Sequence, residues 1–293
     1  VFKILITRYN NKRNTNEGAQ RWGYLKIRKM IFLKQILKKK FNIEDINTTI
    51  KNLYNLEKEK KVSKLFGFLA ILIILVIAFY IAVMYMWSRT SDVDELTKIE
   101  DKPSYVQVED MPDYTKNAFV AVEDKRYYDH EGIDLRGVSR ALVVSLKNGE
   151  LTQGGSTITQ QVVKNYFYTN ETQMTRKVKE MFVAKRVEDT YDKNDILSFY
   201  VNNIYFGGNN YTIEEAANYY FGATVDKNNP YLPQVTVLQS AILASVVNAP
   251  SNFDINNISD SYVTRIKSTL EKMKQQKYIT DSQYTQAINE LNQ

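Results

Sequence analysis

Residues 65–87 read LFGFLAILIILVIAFYIAVMYMW, 23 residues without one charge, and this run constrains the chain more than any other feature. At about 1.5 Å rise per residue it crosses the roughly 30 Å hydrocarbon layer of a bilayer with some tilt to spare. Core helices of soluble domains keep a polar stripe, and this run has none. Tyr80, Tyr85 and Trp87 gather toward its C-terminal end, where an aromatic belt sits at a membrane surface. A cleaved signal peptide has a shorter apolar stretch near the N-terminus, whereas 64 residues precede this one. A transmembrane helix is expected.

Charge predicts its orientation. Residues 1–64 hold 17 Lys and Arg against 5 Asp and Glu, while residues 88–293 hold 22 against 28. The net charge of +6 thus averages two unlike halves, and no nucleic-acid footprint follows from it. The positive-inside rule places the basic segment 1–64 in the cytoplasm and residues 88–293 outside the cell membrane. The chain opens on Val1, and a tidier basic segment begins at Met30, which makes Met30 a candidate start.

There are no cysteines and one histidine, His130, so disulfides, thiolate metal sites, cysteine nucleophiles and multi-histidine metal sites are excluded. Residues 88–114, with Pro103 and Pro112, read as a juxtamembrane linker. From Thr115 onward apolar residues recur every three or four positions, as in Ile158 to Phe167, Val178 to Val187, Ile213 to Tyr220, Val235 to Val247 and Tyr262 to Met273. Leu135 to Leu146 and Ile196 to Tyr205 follow the same pattern. Residues 115–293 are expected to form one mainly α domain.

Three segments carry polar residues that helix packing does not require. The first runs from Glu123 to Asp134 and follows the apolar stretch Ala118 to Val122, which would hold Glu123 at the end of a buried helix. Partial burial can raise a carboxylate's pKa and make it a useful base, although a charged helix end before a Gly132 turn has the same pattern. The second, Gln153 to Asn165, runs two glycines into a helix start, where backbone N–H groups offer an anion site. Four-residue spacing would put Ser156, Gln160 and Lys164 on one face with Gln161 and Asn165 beside them; Thr157 and Gln160 also fit a capping box. In the third, Thr175 can cap a helix whose first turn holds Arg176 and Lys177, with Glu180 on the same side. Cations there oppose the helix dipole, which suggests an anionic ligand; an ordinary surface ion pair is the alternative.

With these segments in order, the chain resembles the peptidoglycan glycosyltransferases of glycosyltransferase family 51, most closely the short monofunctional kind of Gram-positive cocci. The motif E-D-x-x-F-x-x-H-x-G-x-D is met by Glu123 to Asp134 with Tyr127 for Phe, and G-G-S-T-I-T-Q-Q-x-x-K-N by Gly154 to Asn165. R-K-x-x-E is met by Arg176, Lys177 and Glu180; later motifs fall at Tyr200 to Gly207, Ala216 to Gly222, Leu238 to Ala244 and Asn248 to Ser251. Ser198 and Gln239 stand where many bifunctional members have Glu, Thr212 where they have Gly, and Thr172 where a close relative carries an extra Arg. The chain holds no stretch for the S-x-x-K motif of a transpeptidase domain.

The resemblance implies a lysozyme-like helical domain with a small membrane-associated lobe. It implies transfer of a lipid-linked growing glycan to the GlcNAc 4-hydroxyl of lipid II, with undecaprenyl diphosphate leaving. Glu123 is implied as the base, Glu180 as the second carboxylate, and Lys164, Arg176 and Lys177 as diphosphate-binding cations. Ser156, Gln160, Gln161, Asn165 and Asn248 complete the implied substrate-binding set. No cofactor is implied as required; a divalent cation, Mg2+ or Mn2+, can assist at the diphosphate. The expected partners are lipid II, the nascent glycan, the membrane and other wall-synthesis proteins, and sensitivity to the phosphoglycolipid moenomycin is expected. A membrane-anchored lytic muramidase and a non-catalytic scaffold are the alternatives.

Overall fold

The computed structural model describes residues 27–33, 35, 43–140, 155–168 and 173–293. The chain divides into two compact units, Val1–Ile77 and Ala78–Gln293. Helix α1, Ile43–Ser88, is long and apolar enough to cross a membrane. Its Glu44 and Asp45 stand in the first turn, where the helix dipole favours acids.

The second unit is helical: α2 Asp113–Glu123, α3 Ile158–Phe167, α4 Gln173–Thr190, α5 Lys193–Val201, α6 Ile213–Phe221, α7 Val237–Val246, α8 Asp260–Gln275 and α9 Asp281–Leu291. Local sequence sets these starts. Thr157, Asp192, Thr212, Thr236 and Thr280 each cap a helix and form a capping box with the residue three positions on. Helix α9 lay outside the sequence expectations, although Thr280 and Gln283 carry that signal. The helix expected from Leu135 begins as such over residues 135–140, and its remainder lies outside the described residues. Among the described residues there is no strand, only the isolated bridges Gly207–Asn210 and Thr224–Gln234.

Two groups of helices make up the unit. Helices α2, α7 and α8 pack together with α9 against α7 and α8, while α3 packs on α4 and α5. Phe119 of α2 joins the groups, its ring edge-on to Tyr200 of α5 at 6.3 Å and to Phe206 at 6.1 Å.

The segment expected as a linker is built into this core. Val93, Leu96 and Ile99 recur at the three-residue period of the 3-10 helix they occupy, and all are buried with Val106, Val108 and Met111. Asn202 pins this segment by donating to the Val106 carbonyl at 2.8 Å, and the Val108 N–H donates to Ser198 Oγ at 3.0 Å. Ser198 is therefore a backbone acceptor, and Thr212 and Gln239 are capping residues; the three departures from the family pattern have structural duties. Thr172 lies outside the described residues.

The last turns of α1 also belong to the second unit. Met84 and Ser88 are buried, and the Arg186 guanidinium donates to the Ser88 and Ser91 carbonyls at 3.2 and 2.9 Å. Buried Lys179 of α4 places its ammonium 4.2 Å from the Trp87 ring centre and 5.0 Å from that of Tyr168.

Candidate active site

Glu123 is the last residue of α2 and lies where the two helical groups meet. Buried Ala118, Phe119, Val120 and Ala121 seat the helix, and Gln276 Nε2 donates to the Ala121 carbonyl at 3.3 Å. The half-buried carboxylate receives one hydrogen bond on each oxygen. Gln161 Nε2 of α3 donates to Oε2 at 2.8 Å, and Asn248 Nδ2, just beyond α7, donates to Oε1 at 3.1 Å. Both donors are neutral amides, and among the described residues no cation pairs with Glu123. The Tyr262 hydroxyl donates to the Ala249 carbonyl and so steadies the backbone beside Asn248.

The rest of the first motif is structural. Asp124 Oδ2 accepts from the Ile158 N–H at 3.1 Å and lies 2.9 Å from His130 Nε2. Asp134 pairs with Arg126 and accepts from the Gly137 N–H at 2.8 Å. Tyr127, standing for the family's Phe, is buried and donates its hydroxyl to the Lys193 carbonyl at 2.6 Å. Gly132 has φ +80°, and a Cβ there would meet the Ala184 carbonyl oxygen at 3.0 Å, so this turn needs a residue without a side chain.

These contacts correct the anion site expected at the α3 start. Its Ile158 N–H is taken by Asp124 and its Gln160 N–H by Thr157 Oγ1, so the protein's own groups fill the position. Gln160 is buried, with its side-chain carbonyl accepting from the Thr157 N–H, and acts as half of the capping box rather than as a group facing a ligand. Ser156 precedes the helix and shares no helical face with Lys164. Lys164 stands in the last turn, where the dipole favours a cation, and not at a helix start. It is half-buried with Asn165, and neither side chain has a hydrogen bond or ion pair among the described residues. Gly154 lies outside the described residues.

The second carboxylate has different company. Glu180 is completely buried, with Arg176 Nε 2.8 Å from Oε1 and Lys177 Nζ 2.7 Å from Oε2. Lys177 also donates to Ser156 Oγ at 2.8 Å, linking the second and third motifs. Helix α4 starts at Gln173, so Thr175 lies within it and is not the cap. Glu180 itself offsets the two cations placed early in the helix. The structure thus gathers Glu123, Gln161 and Asn248 at one point and Ser156, Arg176, Lys177 and Glu180 at another.

Tyr200 escaped the sequence reading as a site residue. Its hydroxyl is within 3.3 Å of Gln161 Oε1. Burial pushes that hydroxyl's pKa far up, and the nearby Glu123 charge adds to the effect. Its place at the head of the fourth motif was the available signal.

Comparison with known proteins gives this arrangement a class. The profile of the transglycosylase family matches residues 91–274, and the chain belongs to that family, whose domain is mainly helical and lysozyme-like. Among its relatives, the monofunctional glycosyltransferase of Staphylococcus haemolyticus (strain JCSC1435) is 56% identical over 235 residues, covering 80% of this chain and 87% of that protein. The monofunctional glycosyltransferase of Staphylococcus saprophyticus is 62% identical over 209 residues, 71% of this chain and 77% of that one. The protein of that name from Staphylococcus aureus (strain Newman) is 58% identical over 213 residues, with 73% and 79% covered.

Proposed function

We propose that this chain is a peptidoglycan polymerase, which transfers the lipid-linked growing glycan to the GlcNAc 4-hydroxyl of lipid II and releases undecaprenyl diphosphate. The observation that carries the reading is Glu123, held at both oxygens by neutral amides and paired with no cation among the described residues. Such a carboxylate is oriented yet still able to take a proton. As the acceptor oxygen bonds to the donor sugar's anomeric carbon, the bond to the diphosphate breaks with inversion and the hydroxyl proton passes to Glu123. Diphosphate is already a good leaving group, so catalysis lies in the base and in neutralising the departing charge. Arg176, Lys177 and Lys164 supply positive charge, Glu180 holds the first two in place, and Ser156 orients Lys177. Gln161, Asn165 and Asn248 line the substrate side.

Among the described residues no three His, Asp or Glu side chains converge, and both oxygens of Glu180 already face cations. Among the described residues, then, no set of side chains forms a resident Mg2+ or Mn2+ site. Helix α1 confines the enzyme to the surface on which both lipid-linked reactants diffuse, with residues 1–64 in the cytoplasm and the catalytic domain outside. The test is incubation of the full chain in detergent with lipid II. Polymer that disappears in Glu123→Gln supports the reading; fragments released from intact wall without polymer would favour the muramidase.

A further inference from the structure

Gln161 holds Glu123 by its Nε2, and an amide can do so only in one of its two flipped orientations. In the other, its carbonyl oxygen would face the carboxylate and repel it. The side chain is half-buried and carries no charge, so some contact must select the orientation. That contact is the hydroxyl of Tyr200, 3.3 Å from Gln161 Oε1. Tyr200 is fully buried on α5, and its ring is held edge-on by Phe119 of α2, the helix that ends in Glu123.

We infer that Tyr200 is a positioning residue for the reaction. Its O–H donates to the Gln161 carbonyl, locks the amide with its N–H toward Glu123, and thereby keeps the base aimed. The inference rests on the reading of Glu123 as the base. A tyrosine is suited to this duty because its buried hydroxyl stays protonated and remains a donor throughout the working pH range. Phenylalanine would fill the same volume and leave the amide unbiased.

The experiment measures polymerisation of lipid II by the full chain in detergent, from pH 4.5 to 9, for wild type, Tyr200→Phe, Gln161→Ala and the double variant. Tyr200→Phe is expected to lower kcat about three- to tenfold and to leave KM within about twofold. In the Gln161→Ala background the same change should do almost nothing, because the hydroxyl then has no amide to orient. A hydroxyl that only packs the core would lower thermal stability and kcat alike in both backgrounds. A wild-type kcat in Tyr200→Phe, or an equal kcat loss with and without Gln161, would overturn the relay. Gln161 is half-exposed, so its single variant stays readable even where Tyr200→Phe yields little protein; a wild-type kcat there overturns the relay too. Glu123→Gln is run alongside. Activity surviving in it would overturn the assignment of the base and the relay together, whereas failure of the coupling with Glu123→Gln inactive overturns the relay alone.

Discussion

Glu123 and Glu180 are two carboxylates of one domain placed in opposite surroundings. Among the described residues, half-buried Glu123 is touched by uncharged amides, whereas Glu180 is wholly buried and clasped by a guanidinium and an ammonium. The charge of Glu180 is spent on its two cations, while Glu123 has no such partner among the described residues. The proposed division of roles follows these surroundings, with α4 as the charged scaffold and the end of α2 as the seat of the proton transfer.

The strongest challenge to that division is Glu123→Gln. Polymer formation from lipid II should fall by about a thousandfold or more, with thermal stability almost unchanged, because the amide keeps the shape and loses only the basicity. Activity within tenfold of wild type would abolish the distinction. Next come the cations. Arg176→Ala, Lys177→Ala and Lys164→Ala should each reduce turnover by on the order of 30- to 1000-fold, the range for losing one donor to a developing charge. Lys267→Ala, an exposed position on α8, should match wild type in the same assay. Equal behaviour of all four would move the diphosphate site elsewhere.

Glu180→Gln sharpens the contrast from the other side. Removing the charge of this buried group takes away the carboxylate that Arg176 and Lys177 share, so folding stability as well as turnover should drop, by roughly 2–4 kcal/mol on denaturant titration. A stability loss at Glu123 and none at Glu180 would invert the comparison.

The end of α1 gives a smaller effect. A fragment of residues 78–293 keeps Met84 and the Trp87 cover over Lys179, and one of residues 90–293 loses both. The shorter should melt about 5–10 °C lower, consistent with a few kcal/mol of lost burial; identical melting would make those turns a mere tether. The smallest effect is alkaline. Burial raises the hydroxyl pKa of Tyr127 and Tyr200, so above about pH 10 the unfolded chain releases protons that the folded chain retains. Stability contributed below that pH is lost as pH rises, and Tyr200→Phe should flatten part of the slope in urea midpoints taken between pH 9 and 11.

Sequence by itself determined the stretch long and apolar enough to cross a membrane, most helices and the family. Each is a local property: an uncharged run, a three- to four-residue period, a capping box, a fixed motif spacing. Glu123 at the end of an apolar helix and Glu180 beside Arg176 were legible for the same reason. Tertiary structure alone decided which motif residues are taken up by the protein's own caps and contacts. Gln160 went to a cap, Asp124 filled the α3 start, Asn202 tied down the supposed linker, and Tyr200 came to stand behind Gln161. These depend on where α2, α3 and α5 cross, and residues 38 to 125 positions apart in the chain meet at Glu123 with nothing in their spacing to announce it. Spacing along one helix says which side chains share a face; only packing between helices says what that face meets.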